Sequence, residues 1–182
     1  MPTHADLVLR HATPEDASGI ALVHVRSWRA AYAGLVPDEM LAGLSVDARA
    51  QMWTRLIADP AQPILVLAAP DVVGFAAFGA NREDPATGEL YAIYLDPGWW
   101  GRGAGRLLHD AVVEWLDDRY ARSTLWVLRT NARAVRFYRA AGWFPDGTEK
   151  VEEGPGGAVL EENRLARTST RRPPCRDAST PG

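Results

Sequence analysis

The sequence predicts one α/β domain built around a mixed sheet with helices on both faces. β-rich apolar runs alternate with segments of helical periodicity along most of the chain, which is typical of helices packed on a sheet. Two of these runs are separated by only two residues, so part of the sheet is expected to be antiparallel. A chain of 182 residues is long enough to bury one hydrophobic core without disulfides or metals.

The N-terminal part of the chain predicts a short strand followed by a helix. Residues 7–10 have the composition of a strand. Thr13, Pro14 and Asp16 then supply an N-cap, a proline in the first turn and an acidic third residue, which together mark the start of a helix. This helix is expected to run to about residue 32 or 33.

Two further helices and a hairpin are expected next. The segment LVPDEML predicts a short helix, and Ser45 is expected to cap another helix that ends near residues 59 and 60. The runs ILVLAA and VVGFAAFGA flank the dipeptide Pro-Asp and predict a β-hairpin.

The second half of the chain alternates strands and helices. One helix is expected from a glycine-rich segment to about residue 120, and another over NARAVRFYRAAG, where Gly142 follows the last turn. The expected strands are ELYAIYLD, TLWVL, residues 143–151 and residues 158–166, the last two joined by GPGG.

Charge is distributed unevenly along the chain. The formal net charge is −3, but residues 167–182 carry +3, which leaves −6 on residues 1–166. An acidic body favours cationic partners such as amines and argues against broad nucleic-acid binding. The last segment is rich in Ser, Thr, Pro and Arg with almost no apolar residue, so we expect a domain over residues 1–166 and a disordered basic tail over 167–182.

Composition also limits location and chemistry. The longest apolar runs are far shorter than the ~20 residues of a membrane span, and the N-terminus lacks the features of an export signal, so a cytoplasmic, non-membrane protein is expected. The one cysteine, Cys175, lies in the polar tail, which gives no sign of a disulfide framework, a cysteine metal site or a catalytic thiol.

Three glycines stand at alternate positions between a predicted strand and a predicted helix. Gly101, Gly103 and Gly105 would expose backbone amides at a helix N-terminus, which is a natural site for phosphate. A dinucleotide fingerprint would need glycine where Arg106 stands, and a P-loop would need a lysine that this segment lacks. The remaining alternative is a tight turn whose glycines only allow close packing.

Two segments of the chain resemble one enzyme family. LDPGWWGRGAGRLL is similar to the acetyl-CoA-binding segment of the GCN5-related N-acetyltransferases, known as GNAT enzymes. About thirty residues later, LWVLRTNARAVRFYRAAGWFPDG resembles a second block of the same family. The resemblance follows the order of elements from residue 7 to about 166. The residues that carry the second block are Asn131, Ala134, Phe137, Tyr138, Gly142 and Trp143.

The resemblance implies a fold and a co-substrate. The GNAT fold has a mostly antiparallel mixed sheet of about six to seven strands, in which two central strands splay apart. Acetyl-CoA would enter that gap as co-substrate, without a metal, and its pantetheine arm would pair with the strand over residues 92–95. The implied coenzyme contacts on this strand are Ile93, Tyr94 and Leu95.

The resemblance places the diphosphate of the coenzyme on the glycine-rich segment. The implied contacts there are Trp100, Gly101, Arg102, Gly103, Ala104, Gly105 and Arg106. The family usually has Arg or Gln where Trp100 stands, so a side-chain contact to phosphate is expected from Arg102 or Arg106 instead. Asn131 either contacts the coenzyme or caps the following helix.

The catalytic residues are also implied by the resemblance. Tyr138 matches the residue that stands near the coenzyme sulfur as general acid; the alternative is an ordinary core aromatic on a helix face. Glu89 is the first candidate for the base, followed by Glu83 and Asp84, and a water chain is the alternative. His24, Trp28 and Tyr32 share one helix face that either lines the acceptor site or packs in the core.

These observations lead to one functional hypothesis with alternatives. The chain is expected to transfer an acetyl group from acetyl-CoA to a primary amine of a small molecule by direct attack in a ternary complex. The alternatives are acetylation of a protein or peptide amine or of an aminoacyl-tRNA, and a non-catalytic acyl-CoA-binding sensor. No nucleic-acid partner is expected, and a homodimer is one possible assembly because dimers are common among relatives.

Overall fold

The computed structural model describes residues 6–154 and 158–171. The residues of GPGG after Gly154, and residues 172–182 of the expected tail, lie outside this description. The helices are α1 (Ala17–Ala31), α2 (Asp38–Ala42), α3 (Val46–Ile57), α4 (Ala104–Asp117) and α5 (Ala132–Ala140). The strands are β1 (Val8–His11), β2 (Ile64–Ala68), β3 (Val72–Ala80), β4 (Gly88–Leu95), β5 (Arg122–Leu128), β6 (Phe144–Gly154) and β7 (Ala158–Thr168).

The strands of the described part form one sheet in the order β1-β2-β3-β4-β5-β7-β6. Every neighbouring pair is antiparallel except β4 and β5, which run parallel. The expected mixed, mostly antiparallel sheet and the hairpin of β2 with β3 are therefore confirmed. No helix of the described residues is long and apolar enough to cross a membrane.

The two parallel strands separate after three residues. Gly88, Glu89 and Leu90 pair with Ser123, Thr124 and Leu125, and no pairing follows towards the C-terminal ends of β4 and β5. On its other side β4 stays paired with β3 up to Leu95, with a register shift next to Tyr91. The separation therefore exposes one backbone edge of β4, and this edge forms a wall of the cleft described below.

Alternate residues of β3 divide the core between the two faces of the sheet, because successive side chains of a strand point in opposite directions. Phe75 packs with residues of α1 and α3, among them Ile20 and Trp53. Phe78 packs on the other face with residues of α4, among them Leu108. Helices thus cover both faces, as the sequence predicts.

The first predicted helix begins in two stages. Residues Pro14–Asp16 form a single 3₁₀ turn before α1 starts at Ala17. The Thr13 amide donates to the Asp16 carboxylate at 2.8 Å, and Arg10 pairs with the same carboxylate at 2.6 Å. These contacts lower the pKa of Asp16 to about 2, the Arg10 guanidinium being the main cause.

The predicted domain boundary at residue 166 is too early. β7 continues to Thr168, and Arg167 forms a buried ion pair with Asp117 at the end of α4. Arg171 then pairs with Glu114 and Asp118 on the same helix. The first basic residues of the expected tail therefore belong to the fold, because the acidic end of α4 holds them.

Candidate active site

A cleft of about 910 Å³ opens where β4 and β5 separate. Its walls come from the exposed edge of β4, from β5, from the glycine-rich loop and from α5. The end of α1 and the inner residues of β6 and β7 close the opposite end. The cleft thus joins both sequence blocks that resemble the GNAT family.

The glycine-rich loop is shaped by two residues with positive φ. Gly101 has φ +72° and Gly103 has φ +84°, in the left-handed region that side chains other than glycine rarely adopt. Gly103 precedes α4 directly and no side chain caps that end of the helix. The N-terminus of α4 is therefore left open for a ligand.

Several backbone amides of this loop have no acceptor among the described residues, namely those of Gly101, Arg102, Gly103 and Gly105. Donors arranged in this way are suited to the oxygens of a diphosphate. The Arg106 amide donates to the Gly103 carbonyl at 3.0 Å, while its side chain lines the cleft, and the side chain of Ala104 is fully buried. The coenzyme contacts expected of these two residues stay predictions.

Trp100 is held in a fixed position at the edge of the cleft. Its indole N–H donates to the Leu95 carbonyl at 3.0 Å, and the same carbonyl accepts from the Ser27 hydroxyl at 2.6 Å. The Leu95 carbonyl is therefore not free for a ligand, whereas Ile93 and Tyr94 also line the cleft. The guanidinium carbon of Arg133 lies over the Trp100 ring, 3.3 Å from its centroid.

Asn131 connects the cleft to α5. Its side-chain oxygen accepts from the Ala134 amide at 3.1 Å, so the helix-capping interpretation is confirmed. Asn131 is buried, and it also lines the cleft. One residue thus fixes the start of the helix that carries Tyr138.

Tyr138 lies in the cleft wall between β4 and α5. It is 9% exposed and packs near Phe137 and Trp143. Burial raises the pKa of its phenol, with a smaller contribution from Tyr94. The hydroxyl therefore keeps its proton at neutral pH and is able to donate it.

Glu89 lines the same cleft on β4. Partial burial raises the pKa of its carboxyl, while the charges of Arg82 and Lys150 act in the opposite direction. The other two candidate bases lie elsewhere: Glu83 and Asp84 are exposed in the loop before β4 and are not part of the cleft wall. The expected role of Glu83 in the acceptor site stays a prediction, and its charge contributes to the raised pKa of Glu89.

Of the three aromatic residues that share one face of α1, Trp28 and Tyr32 lie at the cleft and His24 lies in the core. Trp28 and Tyr32 line the cleft, as expected for the acceptor site. His24 lies behind them, where its Nδ1 accepts from Trp53 at 3.1 Å and its ring stacks on Tyr94 with 5.1 Å between centroids. Burial lowers the pKa of His24 to about 3, so His24 is a neutral core residue and its expected role in the acceptor site is wrong.

The sequence analysis missed a polar group in this cleft. The Lys150 ammonium lies 2.8 Å from Glu152 and 2.9 Å from Glu162, and 4.7 Å from the ring centroid of Trp126. All four residues line the cleft. No local pattern signals this group, because it depends on the pairing of β5, β6 and β7.

Within the described residues, no cluster of three His, Cys, Asp or Glu side chains is placed to hold a metal ion.

Comparison with known proteins identifies the family. A model of the acetyltransferase (GNAT) family matches residues 26–143, a span that contains α4, α5 and the separation of β4 and β5. The chain belongs to the GNAT family. YuaI of Bacillus subtilis, described as an uncharacterized N-acetyltransferase, is 34% identical over 142 residues, which cover 74% of this chain and 78% of YuaI.

Two further comparisons extend this result. The aminoglycoside N(6')-acetyltransferase type 1 of Stenotrophomonas maltophilia is 30% identical over 152 residues, which cover 79% of this chain and 88% of that enzyme. The PaiA N-acetyltransferase of Thermoplasma acidophilum, solved in complex with coenzyme A, superposes with a TM-score of 0.68 at 20% identity. That match covers 89% of this chain and 98% of PaiA, and it shows that the two share the GNAT fold. As a GNAT member, the chain is an acetyl-CoA-dependent acyltransferase.

Proposed function

We propose that this GNAT enzyme transfers an acetyl group from acetyl-CoA to a primary amine of a small molecule by direct attack in a ternary complex. The proposal rests on groups that line one cleft together. These are loop amides without acceptors, the buried phenol of Tyr138 and the half-buried carboxylate of Glu89. No side chain needs to carry the acetyl group, because donor and acceptor fit in this cleft together.

The residues present fit the coenzyme. The amides of Gly101, Arg102, Gly103 and Gly105 would hold the diphosphate, and the open edge of β4 at Ile93 and Tyr94 would pair with the pantetheine arm. When bound, acetyl-CoA supplies an acetyl group activated as a thioester. The cleft volume of about 910 Å³ lies at the upper end of the range for ligand-binding pockets.

Two proton transfers accompany the reaction. The amine must lose a proton as its nitrogen bonds to the acetyl carbon, and the leaving sulfur must gain one as the C–S bond breaks. Glu89 accepts the first proton, because burial raises the pKa of its carboxyl towards neutrality. Tyr138 donates the second, because burial raises the pKa of its phenol and keeps it protonated.

The part of the cleft formed by β4, β6, β7 and the end of α1 favours a cationic amine. Glu89, Glu152 and Glu162 bring three carboxylates, and the cations beside them are Arg82 and Lys150, which pairs with Glu152 and Glu162. Trp28 and Tyr32 add aromatic faces, which attract ammonium groups. A relative of this chain is named as an aminoglycoside acetyltransferase, and aminoglycosides carry several amines. Small amines with more than one basic group are therefore the first candidates.

A thiol-release assay tests the proposal. The purified protein is incubated with acetyl-CoA and a panel of polyamines, aminoglycosides, amino acids and short peptides, and free CoA is measured. Turnover with a small amine, together with loss of turnover in Tyr138→Phe, is the expected result. Coenzyme-dependent thermal stabilisation without turnover across the whole panel would contradict an enzymatic role and indicate a sensor, and turnover restricted to peptides would contradict a small-molecule acceptor.

A further inference from the structure

Three arginines lie close to the glycine-rich loop, and their surroundings differ. Arg106 lines the cleft and forms an exposed ion pair with Asp110 at 2.8 Å, so its guanidinium has a carboxylate partner. Arg102 lies towards Trp99, 5.9 Å from the ring centroid, and is not part of the cleft wall. Arg133 lines the cleft, and no carboxylate of the described residues lies within ion-pair distance of it.

The Trp100 ring holds the Arg133 guanidinium through a cation–π contact. The indole is tied to β4 through its hydrogen bond to the Leu95 carbonyl, and the guanidinium lies over its face at 3.3 Å from the centroid. A cation is attracted to an aromatic face without using any N–H donor. The donors of Arg133 therefore remain available, while the position of its charge is fixed by the ring.

The position of this pair relates it to the coenzyme site. Trp100 directly precedes Gly101, the first of the loop residues whose amides lack acceptors. Trp100 itself carries no charge that could meet an anion beside these amides. Arg133 brings a cation to the same place from α5, on the opposite wall of the cleft.

We infer that Arg133, held against the face of Trp100, supplies the cationic side chain that binds the diphosphate of the coenzyme. The inference rests on the coenzyme site of the proposed function and goes beyond it, since that site uses backbone amides alone. It also replaces the expectation that Arg102 or Arg106 makes this contact.

Titration calorimetry with three ligands tests the assignment. CoA, 3′-dephospho-CoA and pantetheine are titrated into the parent protein, Arg133→Ala and Arg136→Ala. Arg136 is the matched control, because it is an exposed arginine of the same helix outside the cleft wall. Arg133→Ala is expected to weaken binding of CoA and of 3′-dephospho-CoA by about tenfold or more, as for loss of a charge-assisted contact, and to leave pantetheine binding unchanged. Arg136→Ala is expected to bind all three ligands like the parent.

A second substitution tests whether a cation at this place is what the coenzyme needs. Adding Trp100→Arg to Arg133→Ala puts a cation directly before Gly101 and is expected to recover most of the lost affinity for CoA. Melting curves without ligand show whether each variant is folded before it is titrated.

The possible outcomes separate the inference from the proposed function. Unchanged CoA affinity in Arg133→Ala would overturn the inference while leaving the coenzyme site intact. Weakened binding of CoA but not of 3′-dephospho-CoA would also overturn it, because Arg133 would then bind the 3′-phosphate. If Arg136→Ala weakened CoA binding as much as Arg133→Ala does, the loss would come from the change in net charge, and the inference would be overturned as well. Absence of CoA binding by the folded parent would overturn the proposed function itself, and the inference with it.

Discussion

The indole N–H of Trp143 donates to Nε2 of the buried His109 at 2.9 Å. Nδ1 of the same ring lies 2.9 Å from the Asp110 carboxylate, so the neutral imidazole carries its proton on Nδ1 and donates it to Asp110. Burial lowers the pKa of His109, which keeps the ring neutral. This pair links α4, which begins at the glycine-rich loop, to the residue directly before β6.

Removal of the indole donor should destabilise the fold. Trp143→Phe leaves the buried Nε2 of His109 without a partner, and the free energy of unfolding should fall by about 2–4 kcal/mol from the lost hydrogen bond and the cavity together. Urea denaturation at pH 7.5 measures the change. Trp115→Phe is the control: no hydrogen bond from its indole is found within the described residues, so a smaller loss is expected.

The same pair predicts a pH dependence. A buried histidine with a lowered pKa binds fewer protons in the folded state than in the unfolded chain, so stability decreases as the pH falls below the unfolded value of about 6.5. His24, whose pKa burial lowers to about 3, contributes in the same direction. His24→Gln should therefore lose less stability than the parent between pH 7 and pH 5. An equal loss in both proteins would contradict a neutral, buried His24.

Tyr138 should be needed for chemistry and not for coenzyme binding. Tyr138→Phe removes the hydroxyl that protonates the leaving sulfur, and kcat should fall by about 100-fold or more. The ring stays in its buried position, so the affinity for CoA in calorimetry should change by less than about threefold. Unchanged turnover would place Tyr138 among the ordinary core aromatics.

Glu89 should determine the acidic limb of the pH-rate profile. A base must be deprotonated to act, so kcat/KM of the parent should rise with pH through the raised pKa of this carboxyl. In Glu89→Gln the rate should be lower and this limb should disappear. Glu39→Gln, an exposed change on α2 outside the cleft wall, should keep the parent profile.

Backbone conformation and coenzyme binding can be separated with two glycines. Gly34 and Gly101 both have φ +72°, and a Cβ added to either meets no atom within 4 Å. Alanine at each position should therefore cost a similar ~1 kcal/mol of stability through backbone strain. Only Gly101→Ala should also weaken CoA binding, since Gly34 lies outside the cleft.

The parts of this site that could be predicted from the sequence are those encoded locally. The glycine-rich loop and the helix that carries Tyr138 are continuous segments, so their positions follow from the motifs. His24 could not be placed in this way, because helical periodicity defines a face of α1 but not whether each residue of that face meets the core or the cleft.

Contacts between distant segments also escaped prediction. Lys150 contacts Glu162 only because β6 pairs with β7. Arg133 contacts Trp100 only because α5 lies beside the glycine-rich loop. Composition predicts a disordered tail from Arg167 onward, because that segment lacks apolar residues, yet Arg167 forms an ion pair with Asp117. Composition cannot reveal an ion pair between residues fifty positions apart.

If the loop amides at the start of α4 bind the coenzyme, amide NMR should detect the contact. In protein labelled with ¹⁵N-glycine, saturating CoA should shift the amide resonances of Gly101, Gly103 and Gly105, while that of Gly34 should stay in place. Binding of CoA with these three resonances unchanged would show that the coenzyme does not bind at these amides.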